Sequence, residues 1–313
     1  MNLSPVVLFV YNRPWHTRRS LKSLAKNELA SRSKLIIYSD GPKNMEDSKS
    51  VEEVRKYIQS VNSFYRVRIE ERKKNIGLAQ SISRGVTEVI NKYGRVIVLE
   101  DDMITSPLFL TFMNRAMDLY CDNSKIYSIT GYTLLLKALK KVREDAYLTY
   151  RNSCWGWGTF LDRWEGIDWQ VCNYEDFVRD KLAVNAFSRG GKDLPKLLDL
   201  QLKGKLDSWS IIWDYHCFKN DGLCLAPRVP LLRNIGLDNS GIHCEPSLEY
   251  DIPVKSVDSG KWNFQLPKIP VLHQNVVDET YDLLSQEKSI SLVERLRNKA
   301  GGLIRKYMKK VFR

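Results

Sequence analysis

Residues 95–102 read RVIVLEDD: an aliphatic run that ends in three carboxylates. Val96, Ile97, Val98 and Leu99 show no polar alternation, the pattern of a central parallel strand covered by helices on both faces. Glu100, Asp101 and Asp102 then fall at its carboxyl end, where open α/β sheets gather ligands. Adjacent carboxylates repel one another by roughly 1 kcal/mol per pair at 4 Å in water and by more when partly buried. A compensating cation is therefore expected, and a divalent metal holding a diphosphate suits the place. An acidic loop open to solvent is the plain alternative.

Working outward from this strand, short apolar runs alternate with amphipathic stretches. Strands are expected over 6–11, 35–39 and 65–70, and helices over 14–24, 47–60, 78–91 and 107–120. That series predicts an α/β fold with a mainly parallel sheet flanked by helices. Three polar turns, Asn12-Arg13-Pro14, Asp40-Gly41-Pro42 and the acid triplet, sit at strand carboxyl ends and are expected to face one crevice. After residue 132 the sequence becomes aromatic and glycine-punctuated, with SCWGWGTF over 153–160 followed by Trp164 and Trp169. Such rings suit stacking on sugar faces and core packing equally well. Asp207-Ser208-Trp209 opens a segment expected to be helical, and a short strand is expected over 223–227. Beyond Pro246 the pattern is irregular as far as 289.

The chain has 313 residues, 43% hydrophobic and 11% aromatic, a composition that folds around a sizeable core. The apolar run VVLFVY is short and meets Asn12, Arg13 and Pro14 at once, so it reads as a strand and not as a secretion signal. No apolar window approaches the ~18 residues of a membrane-spanning helix. Cysteines 121, 154, 172, 217, 224 and 244 form no CxxC pair, as expected of reduced thiols in a cytoplasm. The net charge of +12 is uneven: residues 289–313 hold eight Lys or Arg against the single acid Glu294. Apolar residues at helical spacing make this tail, apart from a break at Gly301-Gly302, a basic amphipathic helix suited to an anionic membrane surface or to packing on the body. The remainder is nearly balanced and carries no nucleic-acid-binding motif, so no nucleic-acid partner is expected.

In their order along the chain, Arg13 after the first strand, Asp40 before Gly-Pro, the strand-end acids and the Trp/Gly-rich segment resemble nucleotide-sugar glycosyltransferases of the GT-A fold. The likeness is to bacterial family 2-like members and, more specifically, to the N-acetylglucosaminyltransferase I group, whose metal motif is also Glu-Asp-Asp. It covers roughly residues 5–244. It implies a GT-A (Rossmann-like) nucleotide-sugar-binding part over 1–132, an acceptor-side part of the same catalytic domain over 133–288, and the tail over 289–313. By the same resemblance, Arg13 in VYNRP would meet the donor diphosphate and Asp40 in YSDGP the uridine. Asn75 in KNIGLAQS stands where the family has a histidine contact to the nucleotide. Glu100 and Asp101 would meet the donor ribose and sugar, and Asp102 would ligate Mn²⁺ or Mg²⁺. Asp207 in KLDSWSIIWDYH fits the catalytic base better than Asp214, and it equally suits a helix N-cap. His243 lies in a segment that would fold over the nucleotide, with metal contact or a structural role open to it. Arg84, on the helix after Gly77, would reach the diphosphate or face solvent.

The activity so implied is inverting, metal-dependent transfer from a UDP-sugar, UDP-N-acetylglucosamine foremost, to a glycan or lipid-linked acceptor. Its setting would be surface polysaccharide synthesis at the cytoplasmic face of a membrane. A sugar-phosphate nucleotidylyltransferase would need a glycine-rich phosphate loop after the first strand, and VYNRP contains no glycine. A non-catalytic binding protein of transferase-like fold is the other alternative, disfavoured by the joint presence of the acids, Arg13, Asp40 and Asp207.

Overall fold

The computed structural model describes residues 3–238, 252–254 and 263–284. Strands β1 (Val6–Val10), β2 (Lys34–Ser39), β3 (Arg66–Glu71) and β4 (Arg95–Glu100) alternate with helices α1 (Pro14–Leu24), α2 (Met45–Gln59) and α3 (Leu78–Tyr93). The four strands are parallel and lie in the order β3-β2-β1-β4. Side chains alternate across the sheet. Val6, Leu8 and Val10 pack with Leu21, Leu24, Val54 and Ile58 of α1 and α2. Val7 and Phe9 pack on the other face with Ile82, Val86 and Val89 of α3. Helices fall on opposite faces because right-handed crossovers run outward from β1 to β3 and then back across to β4. The connections after β1 and β4 therefore diverge, and a crevice opens between their carboxyl ends.

β5 (Met103–Thr105) and α4 (Phe109–Leu119) follow, and the sheet continues as β4-β8-β6-β9-β7 through β6 (Ile126–Thr130), β7 (Ala146–Thr149), β8 (Trp157–Phe160) and β9 (Leu223–Pro227). β8 and β7 run antiparallel to their neighbours. β10 (Leu232–Asn234) pairs antiparallel with β5 in a separate two-stranded sheet, Asn234 opposite Met103. The remaining helices are α5 (Leu161–Trp164), α6 (Tyr174–Arg179), α7 (Lys181–Phe187), α8 (Leu194–Leu202), α9 (Trp209–Lys219) and α10 (Gln274–Leu283). No helix among the described residues is long and apolar enough to cross a membrane. The five described cysteines are free thiols, while Cys244 and the basic tail lie outside the described residues.

The tryptophans resolve one of the open readings. Trp157, Trp164, Trp209 and Trp213 are buried, and the ring of Trp157 lies 5.6, 5.2 and 5.9 Å from those of Trp164, Trp209 and Trp213. They form the core between the sheet and α9, so sugar stacking is not their role. Of the two tryptophans in SCWGWGTF, Trp155 is partly exposed, edge-on to Tyr132 at 4.6 Å.

Candidate active site

The crevice between β1 and β4 is built around one cation and three acids. Glu100 is the last residue of β4, paired with Phe9 of β1, so Asp101 and Asp102 emerge beside the segment that leaves β1. Arg13, just ahead of α1, donates from Nη2 to Asp101 Oδ1 and, at 2.9 Å, to Asp102 Oδ2. The compensating cation is thus, in the first instance, this guanidinium. Burial works against its charge, yet Asp101 and Asp102 hold Arg13 protonated well beyond the ordinary range. Burial followed by repulsion from Asp102 and Asp101 pushes the Glu100 carboxyl up to about 8. Burial also raises Asp101, against the pull of Arg13. Ser20 of α1 fixes the turn by donating its hydroxyl to the Asp101 carbonyl at 2.7 Å.

β10 brings a roof that no strand-end motif announces. The Ile235 N–H donates to the Asp102 carbonyl at 2.8 Å, and Gly236 passes directly over the ion pair. A Cβ at Gly236 would lie 2.2 Å from Asp102 Oδ2 and 3.1 Å from Arg13 Nη1, so only glycine allows that approach. Asn234 Oδ1 accepts from the Gly236 N–H at 2.7 Å, and His16 Nε2 lies 3.1 Å from Asp238 Oδ2. Two buried polar atoms here, Asp102 Oδ1 and Asn234 Nδ2, have no hydrogen-bond partner among the described residues. Leaving such atoms unpaired costs about 1–3 kcal/mol each, a cost that a polar ligand reaching them would relieve. No cluster of three His, Cys, Asp or Glu side chains that could hold a metal occurs among the described residues. A free carboxylate oxygen on Asp102 nevertheless has the right chemistry for a hard divalent cation whose other ligands come from a diphosphate and water.

Asp40 and Asn75 form an adjoining knot. The Asp40 N–H donates to Val10 O at 3.1 Å, which sets its turn next to the end of β1. Its carboxylate accepts from the N–H groups of Gly41 (2.9 Å), Ile76 (3.1 Å) and Gly77 (3.0 Å), and Asn75 Nδ2 donates to Gly41 O at 2.9 Å. Both predicted nucleotide contacts thus hold the entrance to α3. A Cβ on Gly41 would lie 2.6 Å from the backbone carbon of Lys74, which cannot rotate away. Gly41→Ala is expected to cost about 1–3 kcal/mol by overpacking, read as a lowered thermal midpoint. An unchanged midpoint would mean that the 73–77 loop is not held as described.

Arg84 stands exposed on α3, whose Ser81, Ile82, Gly85 and Val86 face the sheet. Asp207 is exposed just before α9 and accepts no hydrogen bond among the described residues. It is not the N-cap: that position belongs to Ser208, whose N–H donates to Gln201 Oε1 at 2.5 Å and so sets the start of α9 one residue later. Asp214 is buried in α9, where its Oδ1 accepts from Asn152 N (2.8 Å) and Nδ2 (3.2 Å). Burial lifts it to about 6, opposed by Arg151. His243 lies outside the described residues. Of the predicted site, the structure therefore gathers Arg13, Glu100, Asp101 and Asp102, and sets Asp40 and Asn75 at the neighbouring strand end. Gly236, Asn234 and His16 are not marked as site residues by the sequence: Asn234 ends the three-residue β10 and His16 lies inside α1.

Over 195 residues, 58% of this chain, the sequence is 25% identical to the alpha-1,3-mannosyl-glycoprotein 2-beta-N-acetylglucosaminyltransferase of Arabidopsis thaliana. The chain covers 43% of that relative, less than half its length. No family model matches. Among solved structures, S. aureus TarS overlaps 72% of this chain and 35% of its own, with 11% identity and a TM-score of 0.39. The mannosyltransferase PcManGT from Pyrobaculum calidifontis, solved with GDP-Man and Mn²⁺, overlaps 70% of this chain and 72% of its own, with 8% identity and a TM-score of 0.40.

Proposed function

We propose that the protein is a glycosyltransferase that moves a sugar from a nucleotide-sugar donor to a glycan or lipid-linked acceptor. The observation that carries this reading is the acid cluster at the β1/β4 switch point, where Arg13 bridges Asp101 and Asp102 while Asp102 Oδ1 stays unpartnered. Similarity to an N-acetylglucosaminyltransferase supports a UDP-sugar, and UDP-N-acetylglucosamine before others, as the donor. Asp102 Oδ1 is the oxygen offered to Mn²⁺ or Mg²⁺, and such an ion, when bound, supplies positive charge to the leaving diphosphate. Arg13 orients Asp102 and adds a fixed cation at the same edge.

Asp207 takes the proton from the acceptor hydroxyl. Its carboxylate is exposed and uncommitted, whereas Asp214 is buried and bonded to Asn152. One carboxylate acting as base on the acceptor corresponds to single displacement and inversion. Surface polysaccharide synthesis at the inner face of a membrane is the setting this reading favours.

A thermal-shift series with UDP-sugars, with and without Mn²⁺, tests the proposal. Donor at about 100 times its dissociation constant should add roughly 2.7 kcal/mol of stability. Asp102→Ala is expected to abolish the Mn²⁺-dependent part of that shift. Asp207→Asn should keep the shift and lose about 10²–10⁴-fold in transfer rate. Equal loss of donor binding in both variants would refute this division of roles, and no response to any nucleotide-sugar would leave the non-catalytic reading.

A further inference from the structure

The inner face of α1 builds the crevice: Ser20 holds the Asp101 carbonyl, and His16 meets Asp238. The outer face of the same helix serves no purpose in that crevice. Trp15, Arg18, Arg19 and Lys22 are exposed, and Lys26 continues the row just past the helix end. At 3.6 residues per turn these positions form a single stripe. Trp15 is 53% exposed, unusual for an indole when most tryptophans of the described residues are buried. Its ring is held under the Arg19 guanidinium at 4.5 Å and edge-on to His16 at 4.8 Å, so it is fixed at the surface. Of the four cations only Arg18 has a carboxylate partner among the described residues, Glu53 of α2 at 3.1 Å. The acid nearest in sequence, Glu28, accepts from Thr111 at 3.0 Å.

We propose that this outward stripe of α1 docks on an anionic phospholipid surface. A row of Lys and Arg of which three have no carboxylate partner among the described residues is drawn to anionic headgroups, and an indole at one end of it suits the headgroup boundary, where one side of the ring is wet and the other apolar. A second basic surface among the described residues fits less well. Lys137, Lys140, Lys141 and Arg143 stand beside α10, whose Glu279 accepts the N–H groups of Lys137 and Ala138 at 2.7 Å and which also carries Asp278 and Asp282. The docking does not rest on the transferase reading.

The test uses the full chain with phosphatidylcholine vesicles, with and without phosphatidylglycerol, some of the lipid being brominated to quench tryptophan. Expected results are sedimentation with phosphatidylglycerol vesicles only, and quenching that falls when Trp15 is replaced in Trp15→Phe. The triple variant Arg19→Glu, Lys22→Glu, Lys26→Glu should weaken the partition coefficient at least about tenfold, with an unchanged circular dichroism spectrum and an unchanged response to nucleotide-sugars. Vesicle binding that survives the triple variant and quenches no Trp15 signal would assign the membrane contact to another part of the chain and overturn the proposal. Absence of vesicle binding would do the same. Loss of duplex DNA binding in the triple variant, with vesicle binding intact, would make the stripe a nucleic-acid surface instead.

Discussion

Replacing Arg13 with alanine is expected to destabilise the protein by about 3–5 kcal/mol near pH 8, the usual cost of stripping one partner from a buried ion pair. Arg13 is 19% exposed, and Asp101 and Asp102 only 5% and 8%, so water cannot replace the guanidinium. The loss should depend on pH, in a direction fixed by the carboxyls. Glu100 and Asp101 both titrate higher in the folded protein than in the unfolded chain. Between the unfolded value and the folded one the native state binds more protons, so stability falls as pH rises through that window. For Glu100 the window extends from its ordinary value of 4.5 up to about 8. Without Arg13 the repulsion grows, so the deficit of Arg13→Ala should shrink toward pH 5, where protonation relieves it. Denaturant midpoints of both proteins at pH 5 and pH 8 decide the matter, and equal midpoints at pH 8 would remove Arg13 from its structural role. Glu100→Gln, which removes one of the repelling charges, should raise stability at pH 8 and have little effect at acid pH.

The second large effect is expected at Trp157, where substitution by alanine should cost about 3–5 kcal/mol. Its ring is 1% exposed and lies within 6 Å, centre to centre, of three other indoles. Removing it opens a cavity walled by rigid rings that cannot close over it, and forfeits aromatic contacts worth more than their area. A sugar-stacking tryptophan would behave differently, raising KM at unchanged stability. Unfolding midpoints measured beside KM separate the two, and a stable Trp157→Ala protein with a raised KM would return this ring to the binding site.

What the sequence tells of this fold follows from how each element is stabilised. β1, β2 and β4 are legible because both of their faces are buried and their apolar runs are unbroken, and α2 to α4 because each buries an apolar stripe, whereas α1 buries His16, Thr17 and Ser20 beside Leu21 and Leu24. β5 and β10 are three residues each, too short to carry a pattern, and exist because they pair with each other. α10 has only Val276, Val277 and Thr280 buried, and its placement depends on Glu279 meeting Lys137 and Ala138, a contact between distant segments. The acids of the site are legible at the end of β4, and Arg13 at the end of β1. That Arg13 and Asp102 bond each other, and that Asp40 is engaged by the backbone of 76–77, depends on the divergence of loops around the switch point, which no single stretch of sequence records. The capping residue of α9 was misplaced by one position for a similar reason, since Gln201 decides it from the preceding helix.

The roof over Asp102 has a consequence for the order of assembly. Gly236 and Ile235 reach the acids only after the chain has passed through β8, which slots in beside β4, and through the long excursion of α5 to α9. A nascent polypeptide that has emerged only as far as β6 has the β3-β2-β1-β4 half of its sheet, but β4 still presents an open edge to solvent. Contacts of such large sequence separation form late and slowly. The ligand-binding edge is therefore completed by some of the last segments to fold, and a half-made chain can neither close its crevice nor hide the edge at which it would aggregate.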